Sequence, residues 1–396
     1  MSKEEKLKKI GDLKRQASDL KMEVEYFNSL QLALKLVLNG SYGAFASNYF
    51  ALFNNNVAGT ITAEGRKLTQ TMNQVNEDYW YNQWHLDTEL HQAMNLKNVT
   101  PIPRNEEVSI YADTDSLFVS FKPAMDHCEW RHQYSSELDF IHALDKNRYA
   151  GYFKKCLDEH AQTYGVENKQ DFELERISES IISIAKKKYI QHIVYEDGIP
   201  YDRMSYIFPK GVELVRSSTP LFARDKIVGI VKYLFEHPDT FNIKELLKLV
   251  KNLKKEFDLC VPDKIDDICM QSSCSKYEDK VLNDKTKLEF VSGAHFAVKA
   301  SAYHNYLLHR NKSIQNKYEF IKSGDKIKYY YCKDKSLNDI FSYIRGSYPI
   351  EMAPEIDLDT QFEKCILSPI NSIIEPLGLP LITKRLSVVL DIFSGF

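Results

Sequence analysis

Two aspartates one residue apart, Asp113 and Asp115, stand in the run Tyr111-Ala112-Asp113-Thr114-Asp115-Ser116. Alternating apolar residues flank them, Val108 and Ile110 before and Leu117, Val119 and Phe121 after. That pattern predicts a strand–turn–strand hairpin over 107–121 with its acids at the turn. In an extended segment alternate side chains share a face, so both carboxylates can point to one side. Hard oxygen donors on a rigid sheet suit Mg²⁺ when a phosphate supplies its other ligands. Two such ions can activate a hydroxyl and stabilise a leaving pyrophosphate. Asp-Thr-Asp-Ser is also ordinary turn chemistry, and these residues alone leave both readings open.

Four further constellations carry chemistry. In Lys35-x3-Asn39-Gly40-Ser41-Tyr42-Gly43, residues 35, 39 and 42 fall on one helix face, presenting an ammonium, an amide and a ring. The glycines leave room for a flat ligand such as a nucleotide; alternatively Gly43 is simply the helix C-cap. Lys186-Lys187-Lys188-Tyr189 follows the apolar Ile181, Ile182 and Ile184, a composition suited to a nucleic-acid backbone and a sugar or base edge, or to a solvated charge run. Lys210-Gly211-x-Glu213-x-x-Arg216 leads into Ser217-Ser218-Thr219-Pro220. Lys244, Lys248, Lys251 and Lys255 form a one-sided stripe opposite Ile243, Leu247, Val250, Leu253 and Phe257, which is an amphipathic helix and a surface able to follow phosphates.

The elements that must position these groups are legible in outline. Residues 1 to about 27 read as an exposed helix with a thin apolar stripe, and 28–50 as a denser helix ending near Gly43. Helical patterns cover about 60–96 and 137–164, strands fall at 181–185, 189–195 and 204–208, and long amphipathic helices follow Pro220. The 396 residues (46.0 kDa) suffice for two or three domains, and 43% apolar content with 24 Tyr and 21 Phe excludes a disordered tail. The longest apolar stretch carries Lys35, Asn39 and Asn48, too polar for a membrane span, and Met1 to Lys6 has no signal-peptide character. Seven scattered cysteines without zinc spacing read as reduced thiols. A cytoplasmic location is expected, the host cytoplasm if the protein is viral. The net charge of −3 leaves any nucleic-acid surface to local segregation of charge.

Taken in order, these motifs resemble the C-terminal half of family B DNA polymerases, over nearly the whole chain from about residue 28. Lys35 to Gly43 resembles the fingers-helix motif, Tyr111 to Ser116 the palm metal motif, and Lys186 to Tyr189 the segment that grips the primer terminus. Arg216 to Pro220 resembles the entry to the thumb. The Ser217-to-Pro220 run, Gly293 to Arg310 and the C-terminal segments are most similar to polymerases of tailed bacteriophages. Gly40 stands where the family usually has Ser, and Ala112 where Gly is usual. The family's other palm motif, Asp followed by Ser-Leu-Tyr-Pro, finds no counterpart before Lys35. Asp202 to Pro209 is a loose copy out of order, and Asp87-Thr88-Glu89 is a lone likeness to an exonuclease motif.

The resemblance implies an α+β fold, an incomplete polymerase hand with a fingers helix, an antiparallel palm sheet and a mostly helical thumb. It implies a second fingers helix over 1–47, a palm over 48–216 and a thumb over 217–396, with a domain boundary near 216–220. The implied reaction is template-directed transfer of dNMP from dNTP to a primer 3′-hydroxyl with two Mg²⁺ ions. Asp115 and Asp113 would be metal ligands and Lys35 would act on the triphosphate. Asn39, Tyr42, Gly43, Thr114 and Ser116 would line the nucleotide. Lys186, Lys187, Lys188, Tyr189, Lys210 and Arg216 would hold DNA. A two-metal site needs carboxylates on both palm strands, so a split polymerase is expected, an N-terminal subunit bringing the other acid, the first fingers helix and the exonuclease. The C-terminal Leu390, Ile392, Phe393 and Phe396 read as a sliding-clamp anchor. The rivals are a non-catalytic polymerase-like DNA-binding or scaffold subunit, and a nuclease or primase using Asp113 and Asp115 alone.

Overall fold

The computed structural model of the chain describes residues 3–201, 206–212, 218–237 and 242–387. They form two compact units, 1–173 and 174–396, each with its own elements. Every strand pairing among them is antiparallel.

The first unit opens with α1 (Lys3–Phe45). The two helical stretches expected on either side of residue 27 are therefore one helix, with no breaker between them. Its end lies past Gly43, at Phe45, whose carbonyl accepts from the Asn54 N–H at 2.9 Å. Gly43 is thus an interior residue and not a cap. Every large apolar residue described from Ile10 to Leu38 is at least 43% exposed. The thin stripe expected for the first 27 residues gives way beyond Tyr26 to apolar side chains on all sides.

Asn54 then starts α2 (Asn55–Asp78), its Oδ1 accepting from the N–H groups of Asn56 and Val57 at 3.1 and 3.2 Å. Met72, Asn76 and Trp80 recur at helical spacing and are fully buried. Trp80 packs against Trp84 and Tyr149, and Tyr149 against Phe153, in an aromatic core. The helical pattern expected to run to 96 is interrupted. A widened turn over Tyr79–Gln83 and a tight one over Trp84–Leu86 precede α3 (Thr88–Ala93). Asp87 caps α3 through the Leu90 N–H and pairs with Arg148, Nε to Oδ2 2.7 Å.

The hairpin β1 (Ser109–Asp113) and β2 (Ser116–Val119) forms where alternation predicts it. The short α4 (Lys122–Asp126) follows. The helical region of 137–164 divides into α5 (Glu137–Leu144) and α6 (Ala150–Gln162) around a widened turn.

In the second unit β3 (Arg176–Ala185) and β4 (Lys188–Glu196) pair, and β5 (Ile199–Pro200) and β6 (Ile207–Lys210) both add to β4. Ile182, Ile190 and Val212 share a core with Ala223 and Ile227 of α7 (Leu221–Glu236), and with Leu246, Val250, Leu253 and Phe257 of α8 (Ile243–Asp258). Because strands and helices bury their apolar faces together, the junction expected near 216–220 falls inside this unit. The two compact units divide after residue 173.

The region beyond Pro220 also holds more sheet than expected. After α9 (Ile265–Ile268), β7 (Met270–Ser273) pairs with β10 (Lys326–Tyr331), which pairs with β11 (Ile340–Ile344). Between them lie α10 (Tyr277–Lys280), the ribbon β8 (Val281–Asn283) with β9 (Glu289–Phe290), and α11 (Phe296–Arg310). The apolar run Tyr329-Tyr330-Tyr331 packs on both sides, which hides the two-residue alternation of an exposed strand. Helices α12 (Leu358–Phe362) and α13 (Ser368–Ile374) complete the unit. Among the described residues no helix is long and apolar enough to cross a membrane.

Candidate active site and nucleic-acid interface

The acidic turn is built from backbone inward. Asp113 faces Ser116 across the ladder, leaving Thr114 and Asp115 as a two-residue connection. Thr114 lies at φ +56°, a left-handed conformation unusual for a β-branched residue. The Asp115 N–H donates to the Asp113 carbonyl at 2.6 Å and the Ser116 hydroxyl to the same oxygen at 3.1 Å. The Thr114 hydroxyl donates to Asp113 Oδ1 at 3.1 Å. The extended geometry that would align alternate carboxylates therefore does not hold through 113–115, because the chain reverses there. Asp115 is exposed and Asp113 half-buried. Thr114 and Ser116, expected toward a nucleotide, turn their hydroxyls back onto Asp113.

Helix α2 braces this hairpin at two points. The Thr69 hydroxyl donates to the Thr114 carbonyl at 2.6 Å, and Asn76 Nδ2 donates to the Ser109 hydroxyl at 2.7 Å. Asn76 is fully buried, and its Oδ1 accepts from Trp80 Nε1 at 2.9 Å and from the Tyr149 hydroxyl. A buried amide is tolerated when its polar atoms are matched in this way. Neither residue stands out in the sequence, where both read as ordinary positions in a polar helix.

As donors for Mg²⁺ the two carboxylates are of the right chemical class. Their number is short: among the described residues no group of three or more His, Cys, Asp or Glu is placed to hold a metal ion.

Lys35, Asn39 and Tyr42 lie on α1 at spacings of four and three, on one face, and all are exposed. A Cβ added at Gly40 or Gly43 would meet nothing within 4 Å, so no contact within the chain demands glycine there. In the second unit Lys186 and Lys187 form the turn between β3 and β4, with Lys187 at φ +63°. Lys186, Lys187 and Lys188 are exposed, whereas Tyr189 is only 4% exposed, with Lys210 Nζ 5.7 Å from its ring centre. Tyr189 faces Lys210 across β4–β6, and Gly211 follows at φ +68°. A Cβ at Gly211 would overlap the Lys187 carbonyl oxygen and lie 3.2 Å from both the carbonyl carbon and Lys188 Cγ. The lysine turn is thus seated on a glycine (the Lys210-Gly211 pair quoted above), for a steric reason the sequence does not display. Lys244, Lys248, Lys251 and Lys255 line the exposed face of α8, opposite its buried Leu246, Val250, Leu253 and Phe257. Arg216 and the tail residues Leu390, Ile392, Phe393 and Phe396 lie outside the described residues, as do 202–205 of the loose motif copy.

Comparison with known proteins gives this arrangement its family. The model of DNA polymerase family B matches residues 4–130 and 146–377. The chain belongs to DNA polymerase family B. It is 26% identical over 357 residues to the DNA polymerase catalytic subunit of human herpesvirus 7, covering 88% of this chain and 32% of that protein. It is 26% identical over 209 residues to the catalytic subunit of psittacid herpesvirus 1, 53% of this chain and 16% of that protein. It is 25% identical over 224 residues to DNA polymerase 1 of Aeropyrum pernix, 56% of this chain and 17% of that protein. The chain spans a third or less of the length of these relatives. They are herpesviral and archaeal, and the expected likeness to tailed-phage polymerases finds no support in them.

Proposed function

We propose that this chain supplies the second fingers helix, the acidic palm hairpin and the thumb of a DNA-directed DNA polymerase. It would transfer dNMP from a dNTP to a primer 3′-hydroxyl on a primed DNA template. The observation that carries this reading is the family match running through both units, with the Asp113–Ser116 hairpin inside it. Residues 1–47 would be fingers, 48–216 palm and 217–396 thumb.

Asp113 and Asp115 would hold Mg²⁺ together with a carboxylate from an N-terminal polymerase chain; the ion would neutralise triphosphate charge and polarise the reacting oxygens. Lys35 would approach the triphosphate from α1, with Asn39, Tyr42 and Gly43 beside the nucleotide. Lys186, Lys187, Lys188, Lys210 and Arg216 would hold the DNA backbone, and Tyr189, seated beneath Lys210, would set the turn that carries them. Transfer of this kind depends mainly on positioning and charge stabilisation, tasks that exposed side chains on fixed backbone can perform. The exposed apolar residues of α1, Leu30 to Leu38 among them, support a partner helix covering it. The same partner would bring the first fingers helix and the exonuclease.

The test is primer extension on a primed template with Mg²⁺, by this chain alone and with an N-terminal polymerase chain. Extension should require both chains. Asp115→Asn should abolish it while primer-template binding stays within a few-fold. Robust synthesis by the 396 residues alone would remove the split, and near wild-type extension by Asp115→Asn would remove the metal assignment.

A further inference from the structure

We propose that Thr69 is a positioning residue for the acidic hairpin, its hydroxyl fixing the reversed backbone that carries Asp113 and Asp115. The inference rests on the reading of those two aspartates as metal carboxylates, and it concerns a helix residue outside the hairpin itself. Three observations converge on it. Thr114 holds a left-handed conformation at φ +56° that a β-branched residue adopts only when its surroundings impose it. The hydrogen bonds inside the turn fix the Asp113 carbonyl and carboxylate, through Asp115 N–H, Ser116 Oγ and Thr114 Oγ1. The Thr114 carbonyl is met from outside the hairpin, by Thr69 Oγ1 at 2.6 Å.

A threonine hydroxyl carries one proton. Thr69 Oγ1 also lies 3.0 Å from the Gly65 carbonyl, the usual back-bond of a helical threonine. The shorter contact crosses from α2 to the turn, so the proton serves the hairpin. Thr69 and Asn76 are seven residues apart, two helical turns, and so lie on one face of α2. Asn76 holds Ser109 at the start of β1 and Thr69 holds the residue just past its end. Between them Met72 anchors α2 in the core. A rigid helix therefore grips the acidic strand at both ends, and the left-handed turn cannot relax without breaking the Thr69 bond. Sites that bind metal through few protein ligands need this kind of support, because a loose carboxylate loses its geometry first.

The test uses the full chain with Thr69→Val, which keeps the shape and removes the donor, and Thr69→Ser, which keeps the donor. Hydrogen exchange at the Asp115 and Ser116 amides should speed up about five- to tenfold in Thr69→Val, the equilibrium factor of one neutral hydrogen bond. In Thr69→Ser it should stay within about twofold of wild type. Amides elsewhere in the first unit that exchange by local opening should keep their wild-type rates. In the two-chain extension assay Thr69→Val should raise the Mg²⁺ concentration for half-maximal rate several-fold with the KM for primer-template unchanged, and Thr69→Ser should restore it. The proposal falls if exchange in Thr69→Val matches wild type, if Thr69→Ser behaves like Thr69→Val, or if exchange speeds up equally across the first unit. Should Asp115→Asn retain extension, the metal reading fails by itself, while the exchange comparison still decides what Thr69 holds.

Discussion

Replacing Gly211 by alanine tests how the lysine turn is seated, and its size can be worked from the backbone. At φ +68° an L-residue costs roughly 1–2 kcal/mol relative to glycine. The added methyl would overlap the Lys187 carbonyl oxygen and sit 3.2 Å from its carbon, against an optimum of roughly 3.5–4 Å. Backbone atoms cannot swing aside as a side-chain tip can, so the β3–β4 turn must move, at an overpacking cost of about 1–3 kcal/mol. The sum, about 2–5 kcal/mol, should appear in the second unit. All three tryptophans, Trp80, Trp84 and Trp130, belong to the first unit. In urea unfolding, the far-UV circular dichroism transition of Gly211→Ala should therefore shift to lower denaturant while the tryptophan-fluorescence transition stays in place. Primer-template binding should weaken along with the displaced Lys187, and more so than in Lys187→Ala, which removes one charge and leaves the turn. A circular dichroism shift below about 0.5 kcal/mol, the size of an ordinary surface substitution, would show that the turn is not seated on residue 211.

Lys35→Ala should slow nucleotide incorporation by the two-chain enzyme by tenfold or more, roughly the effect of removing one charge from a transferring phosphate; single-turnover kinetics with unchanged primer-template affinity is the check, and an unchanged rate removes Lys35 from the site. His304 supplies a pH dependence. Burial pushes its imidazole down to about 4 from 6.5, although the Glu319 and Ser342 carbonyls lie 3.1 Å from its two ring nitrogens. The unfolded chain then takes up a proton near pH 6.5 that the folded chain refuses until about pH 4. The stability contributed by the neutral ring is intact above pH 6.5 and lost as pH falls toward 4, about 2 kcal/mol of it by pH 5. Urea midpoints of the circular dichroism transition at pH 7 and pH 5 should show this loss, and His304→Gln should flatten it. Deleting residues 390–396 should abolish stimulation by a sliding clamp and leave clamp-free extension unchanged; equal stimulation of both forms would remove the tail from that role.

The acidic hairpin was legible because its signal is local. Alternation around a four-residue polar break predicts two strands and a turn, and β1 and β2 lie there. What lay beyond reach is the direction of the turn's side chains, since the left-handed Thr114 depends on Thr69, 45 residues away. How the segment after Pro220 packs lay beyond reach for a related reason. A composition shift after Pro220 is visible in the sequence, but whether α7 closes over β3 and β4 is decided by Val212, Ala223 and Ile227 meeting Ile182 and Ile190. Patterns of period two and 3.6 report which face of an element is apolar and are silent on its partner. The β7–β10–β11 sheet was hidden because a strand covered on both sides loses alternation.

Helix α1 shows where sequence and single-chain structure reach the same limit. Lys35, Asn39 and Tyr42 recur at helical spacing, and the backbone through them is helical. Yet Leu32, Leu34, Leu36, Val37 and Leu38 occupy the remaining directions, and each is at least 57% exposed. A helix apolar all round is stable as a buried element, and its interior glycines weaken it further, by about 1 kcal/mol each relative to alanine. Nothing this chain contributes covers those leucines among the described residues. The polar stripe therefore gains a fixed orientation only when another helix lies against the apolar sides. On the proposed reading, the residues of α1 that would face a nucleotide and those that would face a partner form one device: an N-terminal chain burying Leu32 to Leu38 would also set the direction in which Lys35 points. Substituting Leu34 and Leu38 by serine should then weaken subunit association and slow incorporation together, whereas Lys35→Ala should slow incorporation with association intact, measurable by comparing pull-down and single-turnover rates. Loss of association without loss of rate at saturating partner would separate the two faces and refute the coupling.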